Sequence, residues 1–350
     1  MKRVCASLAE IRFVCRWPEQ AGRLKRNWFH VKLERGRFKG RSSDNWFRMG
    51  VPRSHLNRFH PVPRETTCNC AKPLLSFRLG QHLGRIIACA NQKGGVGKTT
   101  TAVNLAACLA ASEQPTLLVD CDSQGNATAA IGFAKDPARK TLYHSLILGE
   151  PLEKIVQKSQ VELLDVIPGD KNLAGAAVEL VTAENREYKL QAALKSFQDR
   201  YRFVILDCPP ALDLLTLNAL VCANSVLVPI QCEYLALEGV SELLDTLMRI
   251  RRTLNSSLEI EGILLTMFDE RTTLSRQVAT DLRSFFGTQV FQAVIARNVR
   301  LAEAPSFGKP IIFYDIHSKG AEGYTQLAQE VIANDEKRVG KGARSAHSGA

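Results

Sequence analysis

The feature of this sequence that most constrains its fold is a glycine-rich loop placed directly after a short apolar run. The run covers residues 86–90, and the loop is Lys93-Gly94-Gly95-Val96-Gly97-Lys98-Thr99-Thr100. A strand that enters such a turn and continues as a helix directs several backbone N–H groups and a helix N-terminus at one point. The loop therefore predicts a nucleoside triphosphate site, in which Lys98 bridges the β- and γ-phosphates and the Thr99 hydroxyl completes the Mg²⁺ shell.

The loop departs from the G-x-x-x-x-G-K-[ST] pattern in an informative way. Gln92 stands where that pattern has its first glycine, and Lys93 lies inside the loop. Six fixed positions of this kind recur by chance on the order of once in 10⁵ chains, so a glycine turn without a ligand is a weak alternative. Because Lys98 already serves the subunit's own nucleotide, the Lys93 side chain is available for the phosphates of a second subunit.

The positive charge of the chain is concentrated in its first quarter. The net charge is +11 over 350 residues, but residues 1–84 hold 18 Lys and Arg against 5 Asp and Glu. These residues show no sustained apolar period, which predicts a basic, disordered extension. We favour peptide translated from upstream of the natural start, and a basic arm that binds nucleic acid and a transit peptide are the alternatives. The remaining residues are slightly acidic, so any DNA binding by the main domain depends on individual residues.

Cysteine usage and hydropathy bear on the compartment. Five of the ten cysteines lie in apolar runs, which predicts reduced, buried thiols in a cytosol rather than a disulfide framework: Cys89, Cys108, Cys121, Cys208 and Cys222. Cys68 and Cys70, with His55 and His60 upstream, have a poor spacing for tetrahedral zinc. No apolar run approaches 18 residues and charges interrupt the first twenty positions, which predicts neither a membrane span nor a secretory signal.

From residue 85 onward, apolar strand candidates alternate with helix-length segments. This pattern predicts an α/β fold with a doubly wound, mostly parallel sheet and helices on both faces. The predicted strands are 85–90, 116–120, 162–167, 202–207, 225–230, 260–266 and 289–295. The predicted helices lie near 98–111, 172–197, 212–222, 236–252, 272–286 and 319–333. We expect residues 334–350, rich in Gly, Ser and Lys, to form a flexible tail.

Three acidic residues follow apolar strands. Asp120 and Asp122 come at the end of the strand that starts at Thr116, and Asp207 ends the strand that starts at residue 203. In an open α/β sheet the ligand lies beyond the carboxyl ends of the strands. Asp207, and with it Asp120, is therefore a candidate for holding Mg²⁺ through water, and Asp122 for orienting the attacking water. A helix N-cap or turn former is the competing interpretation for any one of them.

Together these motifs resemble the ParA/Soj family of partition ATPases over residues 85–333. Besides the loop, the resemblance rests on residues 119–126, 207–210, 229–234 and 297–301. It implies a P-loop NTPase fold and an ATPase that uses ATP and Mg²⁺ and hydrolyses ATP slowly without stimulation. It also implies an ATP-dependent sandwich homodimer that binds double-stranded DNA without sequence preference and is released when a ParB-like partner stimulates hydrolysis. A cytoplasmic, nucleoid-associated protein without membrane contact would follow.

The resemblance also assigns roles to individual residues. Lys93, Lys98 and Asp122 are the implied catalytic residues, and Arg271 and Arg300 are the implied DNA contacts. The implied nucleotide-binding residues, with Asn298 near the adenine, are Lys93, Gly94, Gly95, Val96, Gly97, Lys98, Thr99, Thr100, Asp207 and Asn298. Ser123 and Ala296 stand where the family usually has proline, and a serine at 123 removes a fixed φ from the loop that carries Asp122.

Other classes of protein use the same kind of loop. A metabolic P-loop enzyme would act on a small molecule, but residues 229–234 and 297–310 match the partition family. A division-site positioning ATPase would need an amphipathic membrane anchor, which the polar end of the chain does not supply. A nitrogenase-like reductase would need cluster-ligating cysteines at a dimer seam. The DNA prediction is weaker than the ATP prediction, because Arg271 or Arg300 alone is typical of a solvated surface charge.

Overall fold

The computed structural model describes residues 10–18, 24–34, 37–41, 84–195, 198–234 and 236–347. Three N-terminal strands pair in an antiparallel sheet of their own: β1 (Glu10–Pro18), β2 (Leu24–Glu34) and β3 (Arg37–Arg41). The following strands are β4 (Arg85–Cys89), β5 (Thr116–Asp120), β6 (Gln157–Lys158), β7 (Leu164–Ile167), β8 (Phe203–Asp207), β9 (Ser225–Gln231), β10 (Glu259–Phe268) and β11 (Val290–Ala296). In the part of the chain that the structure describes, these form one eight-stranded sheet in the order β11-β10-β9-β4-β8-β5-β7-β6.

Every neighbouring pair in this sheet is parallel except β6 with β7. The helices are α1 (Lys98–Ala111), α2 (Asn126–Ala130), α3 (Leu142–Leu146), α4 (Leu173–Glu179), α5 (Lys189–Lys195), α6 (Leu214–Cys222), α7 (Ala236–Thr253), α8 (Thr273–Phe286), α9 (Val299–Glu303), α10 (Ile311–Tyr314) and α11 (Lys319–His347). The predicted α/β class and all seven predicted strands are confirmed.

Both faces of the sheet are buried, and successive residues of one strand belong to different cores. Ile86 and Ala88 pack in one apolar cluster, whereas Ile87 and Cys89 pack in the other. Because side chains alternate across a strand, continuous apolar runs are what a sheet covered on both faces requires. Helices α6 and α7 contribute to the first cluster, and α1 and α11 contribute to the second.

The helix predicted over 172–197 needs correction. The single helix expected over 172–197 is divided into α4, two short 3-10 turns and α5. The break follows from local backbone conformation, since Ala183 is extended and Asn185 has a left-handed φ of 50°. The short helices α2, α3, α9 and α10 were not predicted, because four or five residues are too few to show a helical period.

The C-terminal residues also differ from expectation. The predicted flexible tail begins at residue 334, whereas α11 continues to His347. Long-range ion pairs explain the difference, since Arg202 contacts Asp335 at 3.4 Å and Arg338 contacts Glu261 at 2.8 Å. Within the described residues, no helix combines the length and the apolar character needed to cross a membrane.

The N-terminal extension contains the strands β1, β2 and β3 where the sequence predicted no regular structure. Main-chain pairing in antiparallel strands does not require an apolar period, which explains why the pattern gave no sign of them. The status of residues 1–84 as a separate extension stays a prediction. His55, His60, Cys68 and Cys70 lie outside the described residues.

A buried ionic cluster ties α11 to the sheet at the amino ends of its central strands. Glu261 on β10 has a fully buried side chain that accepts hydrogen bonds from Arg85 at 2.6 Å, Ser225 at 2.6 Å and Arg338 at 2.8 Å. Burial acts to raise the pKa of this carboxyl, but the charges of both arginines and the Ser225 hydroxyl lower it below the ordinary value. The cluster therefore stabilises the fold only while Glu261 is ionised.

We predict that Glu261→Gln lowers the free energy of unfolding by about 2 kcal/mol at pH 7, because Arg85 and Arg338 lose their buried charge partner and keep only the exposed Glu259. Urea unfolding measures the decrease. Glu259→Gln is the matched control, since Glu259 pairs with the same arginines but its side chain is 58% exposed, and we expect a change below about 0.5 kcal/mol.

The pH dependence of this difference gives a second measurement. Because the folded pKa is lowered, the stabilisation is present above the ordinary value of 4.5 and is lost as the pH falls through the folded pKa. The wild type and Glu261→Gln should therefore converge at acid pH. A difference that stays constant across this range would contradict the ionic explanation.

Candidate functional site

The glycine-rich loop lies between β4 and α1, at the carboxyl edge of the sheet and near its centre. Gly95 and Gly97 have φ values of 74° and 90°. Only glycine adopts this left-handed conformation without strain, so the loop needs glycine at both positions. Gly97 is also the N-cap of α1, which begins at Lys98. The predicted arrangement of strand, loop and helix is confirmed.

Neighbouring strands hold the loop in place. The Asn91 side chain donates to the carbonyl oxygen of Pro229 at 2.8 Å and accepts from the backbone N–H of Lys93 at 3.0 Å. The Thr266 hydroxyl donates to the carbonyl oxygen of Val96 at 2.9 Å. Pro229 and Thr266 belong to β9 and β10, so strands more than 130 residues away in sequence set the position of the loop.

Lys98 lies at the base of the loop with only 7% of its surface exposed. Its Nζ donates to the carbonyl oxygen of Lys93 at 2.9 Å. Burial lowers the pKa of Lys98, and the nearby Asp207 and Asp122 act in the opposite direction. The Lys98 ammonium therefore lies near the Asp207 and Asp122 carboxylates. Its hydrogen-bond acceptor is the backbone carbonyl oxygen of Lys93, which a phosphate oxygen can replace.

Asp207 is the most unusual side chain of the site. It ends β8 beside β4, its exposure is 0%, and neither carboxylate oxygen has a hydrogen-bond partner. Burial first, and then the charge of Asp120, raise its pKa well above the ordinary value. The Thr99 hydroxyl lies close enough to oppose this rise, though not in hydrogen-bond geometry. An unpartnered buried carboxylate is costly, which points to a cationic group as its partner.

Asp120 ends β5 and, unlike Asp207, is fully engaged. Its Oδ2 accepts from the backbone N–H and the hydroxyl of Thr128 at 2.8 and 2.7 Å. Its Oδ1 accepts from the backbone N–H of Asp122 at 3.1 Å. Burial raises the pKa of Asp120, and the Thr128 hydrogen bonds oppose the rise. These contacts give Asp120 a structural role, which was the competing interpretation of the sequence, and its predicted water-mediated metal contact stays a prediction.

Asp122 is buried in the loop that Asp120 holds. Its Oδ1 accepts from the backbone N–H of Gln124 at 2.9 Å, and its carbonyl oxygen accepts from Gly125 at 3.0 Å. None of these hydrogen bonds uses the side chain of Ser123, the residue that stands in place of the family proline.

Sequence reasoning missed the residues that support this loop. Thr128 donates to Asp120 and accepts from the backbone N–H of Gly169 at 2.9 Å. A Cβ at Gly169 would lie 2.7 Å from the carbonyl oxygen of Asp120, so only glycine fits there. Neither residue belongs to a recognisable motif, because their role depends on a contact across 41 positions of sequence.

Lys93, the lysine inside the loop, forms an ion pair within its own subunit. The Nζ of Lys93 lies 3.6 Å from Oε2 of Glu233, a residue just beyond the end of β9. Both side chains are half-buried, at 38% and 47% exposure. Residues 229–234 are one of the motifs that carry the family resemblance, but no role was predicted for Glu233.

Two further predicted groups lie at the same edge, beyond β10 and β11. The Asn298 side chain is the N-cap of α9 and accepts from Arg300 N–H at 2.9 Å. The Arg271 guanidinium donates two hydrogen bonds to Asp269, at 2.8 and 2.9 Å, and the Arg271 backbone N–H donates a third at 3.1 Å.

Both predicted DNA-contacting arginines have acidic partners. Arg300 contacts Glu303 at 2.9 Å and Asp315 at 3.6 Å. Arg271 lowers the pKa of Asp269 to about 2. Both guanidinium groups are more than half exposed, so solvent screens these pairs and another anion can compete for the arginines. The loops that carry the two arginines are adjacent, since Arg297 N–H donates to the carbonyl oxygen of Phe268 at 2.9 Å.

The site fits a Mg²⁺-bound polyphosphate on three observations. The loop backbone faces a helix N-terminus, Lys98 supplies a buried ammonium, and Asp207 supplies two buried carboxylate oxygens without partners. Oxygen ligands are those that Mg²⁺ prefers, and it commonly binds protein through one carboxylate together with substrate phosphates. The six cysteines between residues 84 and 347, which include the five singled out from the sequence, are free and buried.

Comparison with known proteins agrees with this chemistry. A family model described as an AAA domain matches residues 84–260. The chain is 51% identical over 253 residues to the chromosome partitioning protein ParA of Myxococcus xanthus, an alignment that covers 72% of this chain and 89% of that protein. It is 52% identical over 252 residues to the sporulation initiation inhibitor protein Soj of Bacillus subtilis, covering 72% of this chain and all of that protein.

Among solved structures, the chain is similar to a cobyrinic acid a,c-diamide synthase from Mycobacterium smegmatis with bound ADP and magnesium. The TM-score is 0.61 at 34% identity, and the match covers 70% of this chain and 93% of the synthase.

We predict different stability effects for the two buried acids in the absence of nucleotide and metal. Asp207 is buried without a hydrogen-bond partner and burial already favours its protonated form, so Asp207→Asn should leave the free energy of unfolding unchanged or raise it by up to about 1 kcal/mol. Asp120→Asn places an amide against two donors of Thr128 and should lower it by about 1–3 kcal/mol. Urea unfolding of the three proteins decides the matter, and a decrease of stability in both variants would show that Asp207 has a partner in the folded chain.

Proposed function

This chain belongs to the ParA/Soj family of chromosome partitioning ATPases, and we propose that ATP controls its DNA affinity by controlling its dimerisation. It is an ATPase that uses ATP and Mg²⁺, as the bound ligands of the solved neighbour also support. The observation that carries the proposal is a site in which the Asp207 carboxyl, buried without a hydrogen-bond partner, and the buried ammonium of Lys98 lie beside the glycine-rich loop.

The binding roles follow from the positions of the side chains. The backbone N–H groups of the loop and the ammonium of Lys98 would hold the phosphates, while Thr99 and Asp207 would hold the metal. Mg²⁺, when bound, supplies positive charge that offsets the charge developing on the transferred phosphoryl group. If a phosphate oxygen replaces the Lys93 carbonyl oxygen as the acceptor for Lys98, the loop loses a hydrogen bond at Lys93.

Asp122 is suited to orienting the water that attacks the γ-phosphate. It is buried and lies close enough to Lys98 to influence its pKa, and three backbone hydrogen bonds hold its loop. A carboxylate held in this way can accept a hydrogen bond from water without reorganising. We propose Asp122 as the catalytic acid–base residue, with weak turnover until a ParB-like partner stimulates it.

Dimerisation is proposed to depend on Lys93. Its ammonium is half-exposed and lies at the open side of the loop, so it can reach a triphosphate bound to a second subunit. Charge on that triphosphate would attract Lys93 more strongly than a single carboxylate does. ATP in both loops would therefore bring two copies together, and hydrolysis would release them.

Nonspecific DNA binding is proposed to depend on the dimer. The residues beyond the extension carry a slightly negative net charge, so contact with phosphates must come from placed arginines such as Arg271 and Arg300. Each contact adds to the salt-dependent part of the affinity, and a dimer doubles the number of contacts. Both arginine side chains are more than half exposed, so DNA phosphates can reach them and compete with their acidic partners.

We predict that full-length Asp122→Ala protein, which should hydrolyse ATP slowly, forms a dimer with ATP and Mg²⁺ and stays monomeric with ADP. Size-exclusion chromatography measures this, and DNA binding of each fraction follows. Because the basic extension is present in every sample, the proposal is tested by the difference in DNA binding between the ATP and ADP samples. The Lys93→Ala/Asp122→Ala protein is the matched control and should bind ATP without dimerising.

Two results would contradict the proposal. If the protein is equally monomeric with ATP and with ADP, ATP does not control dimerisation. That result would favour a small-molecule enzyme, the class to which the solved synthase belongs. DNA affinity that does not change with nucleotide would separate dimerisation from DNA binding.

For the DNA surface, we predict that Arg271→Ala weakens DNA binding by the ATP-bound dimer and makes it less dependent on salt. The slope of log affinity against log salt should fall by about one for each DNA phosphate that the variant no longer neutralises. Arg300→Ala should behave in the same way. Arg251→Ala removes an equal charge near the end of α7, at the opposite edge of the sheet, and should change neither quantity; an equal effect would mean that net charge alone governs binding.

A further inference from the structure

The contact between Lys93 and Glu233 links the nucleotide loop to the segment after β9 within one subunit. The two charged groups lie 3.6 Å apart. Lys93 is the residue through which we propose that two subunits are joined, so a carboxylate of its own subunit competes for the same ammonium. This competition is not needed to bind ATP, and it bears directly on dimerisation.

Glu233 is held in position before any second subunit arrives. The Gln231 side chain donates to Oε1 of Glu233, and the backbone N–H of Glu233 donates to the carbonyl oxygen of Gln231 at 2.8 Å. Between them, Cys232 N–H donates to Thr266 on β10, and its carbonyl oxygen accepts from the Ser275 hydroxyl on α8 at 3.3 Å. The carboxylate is therefore carried by a segment anchored to two other elements.

Lys93 is held from the other side by the loop. Its N–H donates to Asn91, and its carbonyl oxygen accepts from Lys98 at 2.9 Å. When the ammonium of Lys98 turns to a phosphate, the second of these hydrogen bonds breaks. Nucleotide binding therefore removes one hydrogen bond from the Lys93 backbone, in the same state in which we propose that the Lys93 side chain contacts the second subunit.

We propose that Glu233 is a positioning residue that holds Lys93 on its own subunit and so sets the ATP concentration at which two subunits join. This inference rests on the proposed function of Lys93 in dimerisation. Glu233 opposes premature dimerisation by offering Lys93 a partner that only a fully loaded second subunit displaces.

The exposure of the pair determines how large the effect is. An ion pair whose side chains are both more than a third exposed changes an equilibrium by no more than about 5-fold. A dimer releases two such pairs, so the combined effect reaches about 25-fold at most. An effect of this size adjusts a threshold and leaves the triphosphate able to displace the carboxylate.

The test measures dimerisation of full-length Asp122→Ala protein with ATP and Mg²⁺ by sedimentation velocity, with and without Glu233→Gln. We expect the Glu233→Gln dimer to be tighter by about 3- to 25-fold. The affinity of the monomer for ADP should change by less than about 2-fold, because ADP binding does not recruit Lys93. Glu233→Asp keeps the charge and should return dimerisation towards the parent.

Glu113→Gln is the matched control for net charge. Glu113 is exposed in the turn before β5, at the edge of the sheet opposite the loop. This variant should dimerise like the parent, and an equal gain in both glutamine variants would overturn the inference. Unchanged or weaker dimerisation of Glu233→Gln would also overturn it.

A measurement on the monomer separates this inference from the proposed function. Acylation of Lys93 by an amine-reactive ester, followed by peptide mass spectrometry, should become at least about 2-fold faster in Glu233→Gln without nucleotide. An unchanged rate would show that Glu233 does not hold Lys93. A parent protein that does not dimerise with ATP would instead overturn the proposed function, and with it the role of the ion pair, whatever the acylation rate.

Discussion

The site depends on one unfavourable interaction, the burial of the Asp207 carboxylate without a hydrogen-bond partner. The parallel pairing of β8 with β4 brings this carboxylate next to the start of the loop and close to the ammonium of Lys98. A buried charge of this kind destabilises the folded chain until a cation reaches it. Binding of a cation beside Asp207, as proposed above, would offset this cost, and a costly site of this kind is a common trade between stability and activity.

Interactions elsewhere in the fold offset the free-energy cost of burying Asp207. Apolar side chains fill both faces, and the ionic cluster around Glu261 anchors α11 at the edge opposite the site. The oxygens of the neighbouring acid Asp120 accept hydrogen bonds from Thr128 and from the loop backbone. Two acids that end adjacent strands thus differ in their contacts, since Asp120 holds the loop of Asp122 and Asp207 has no hydrogen-bond partner.

Much of the fold was predictable from the sequence, and the exceptions have physical causes. Buried parallel strands are continuous apolar runs, so all seven of them were recognised. The helix expected over 172–197 failed because a left-handed Asn185 interrupts it, which no apolar period shows. The continuation of α11 to His347 depends on Arg338 meeting Glu261, an interaction across 77 residues. The roles of Thr128, Gly169 and Glu233 were missed for the same reason.

The sequence by itself determined the phosphate loop, the order of the motifs and the class of chemistry. These depend on short-range backbone geometry, in which glycine, lysine and threonine at fixed spacing leave few alternatives. Only the tertiary structure decided which acid is unpartnered, which carboxylate meets Lys93 and which acids pair with Arg271 and Arg300. Those outcomes depend on strand order and on contacts between distant segments, where a difference of one or two ångströms in position decides whether two charges meet.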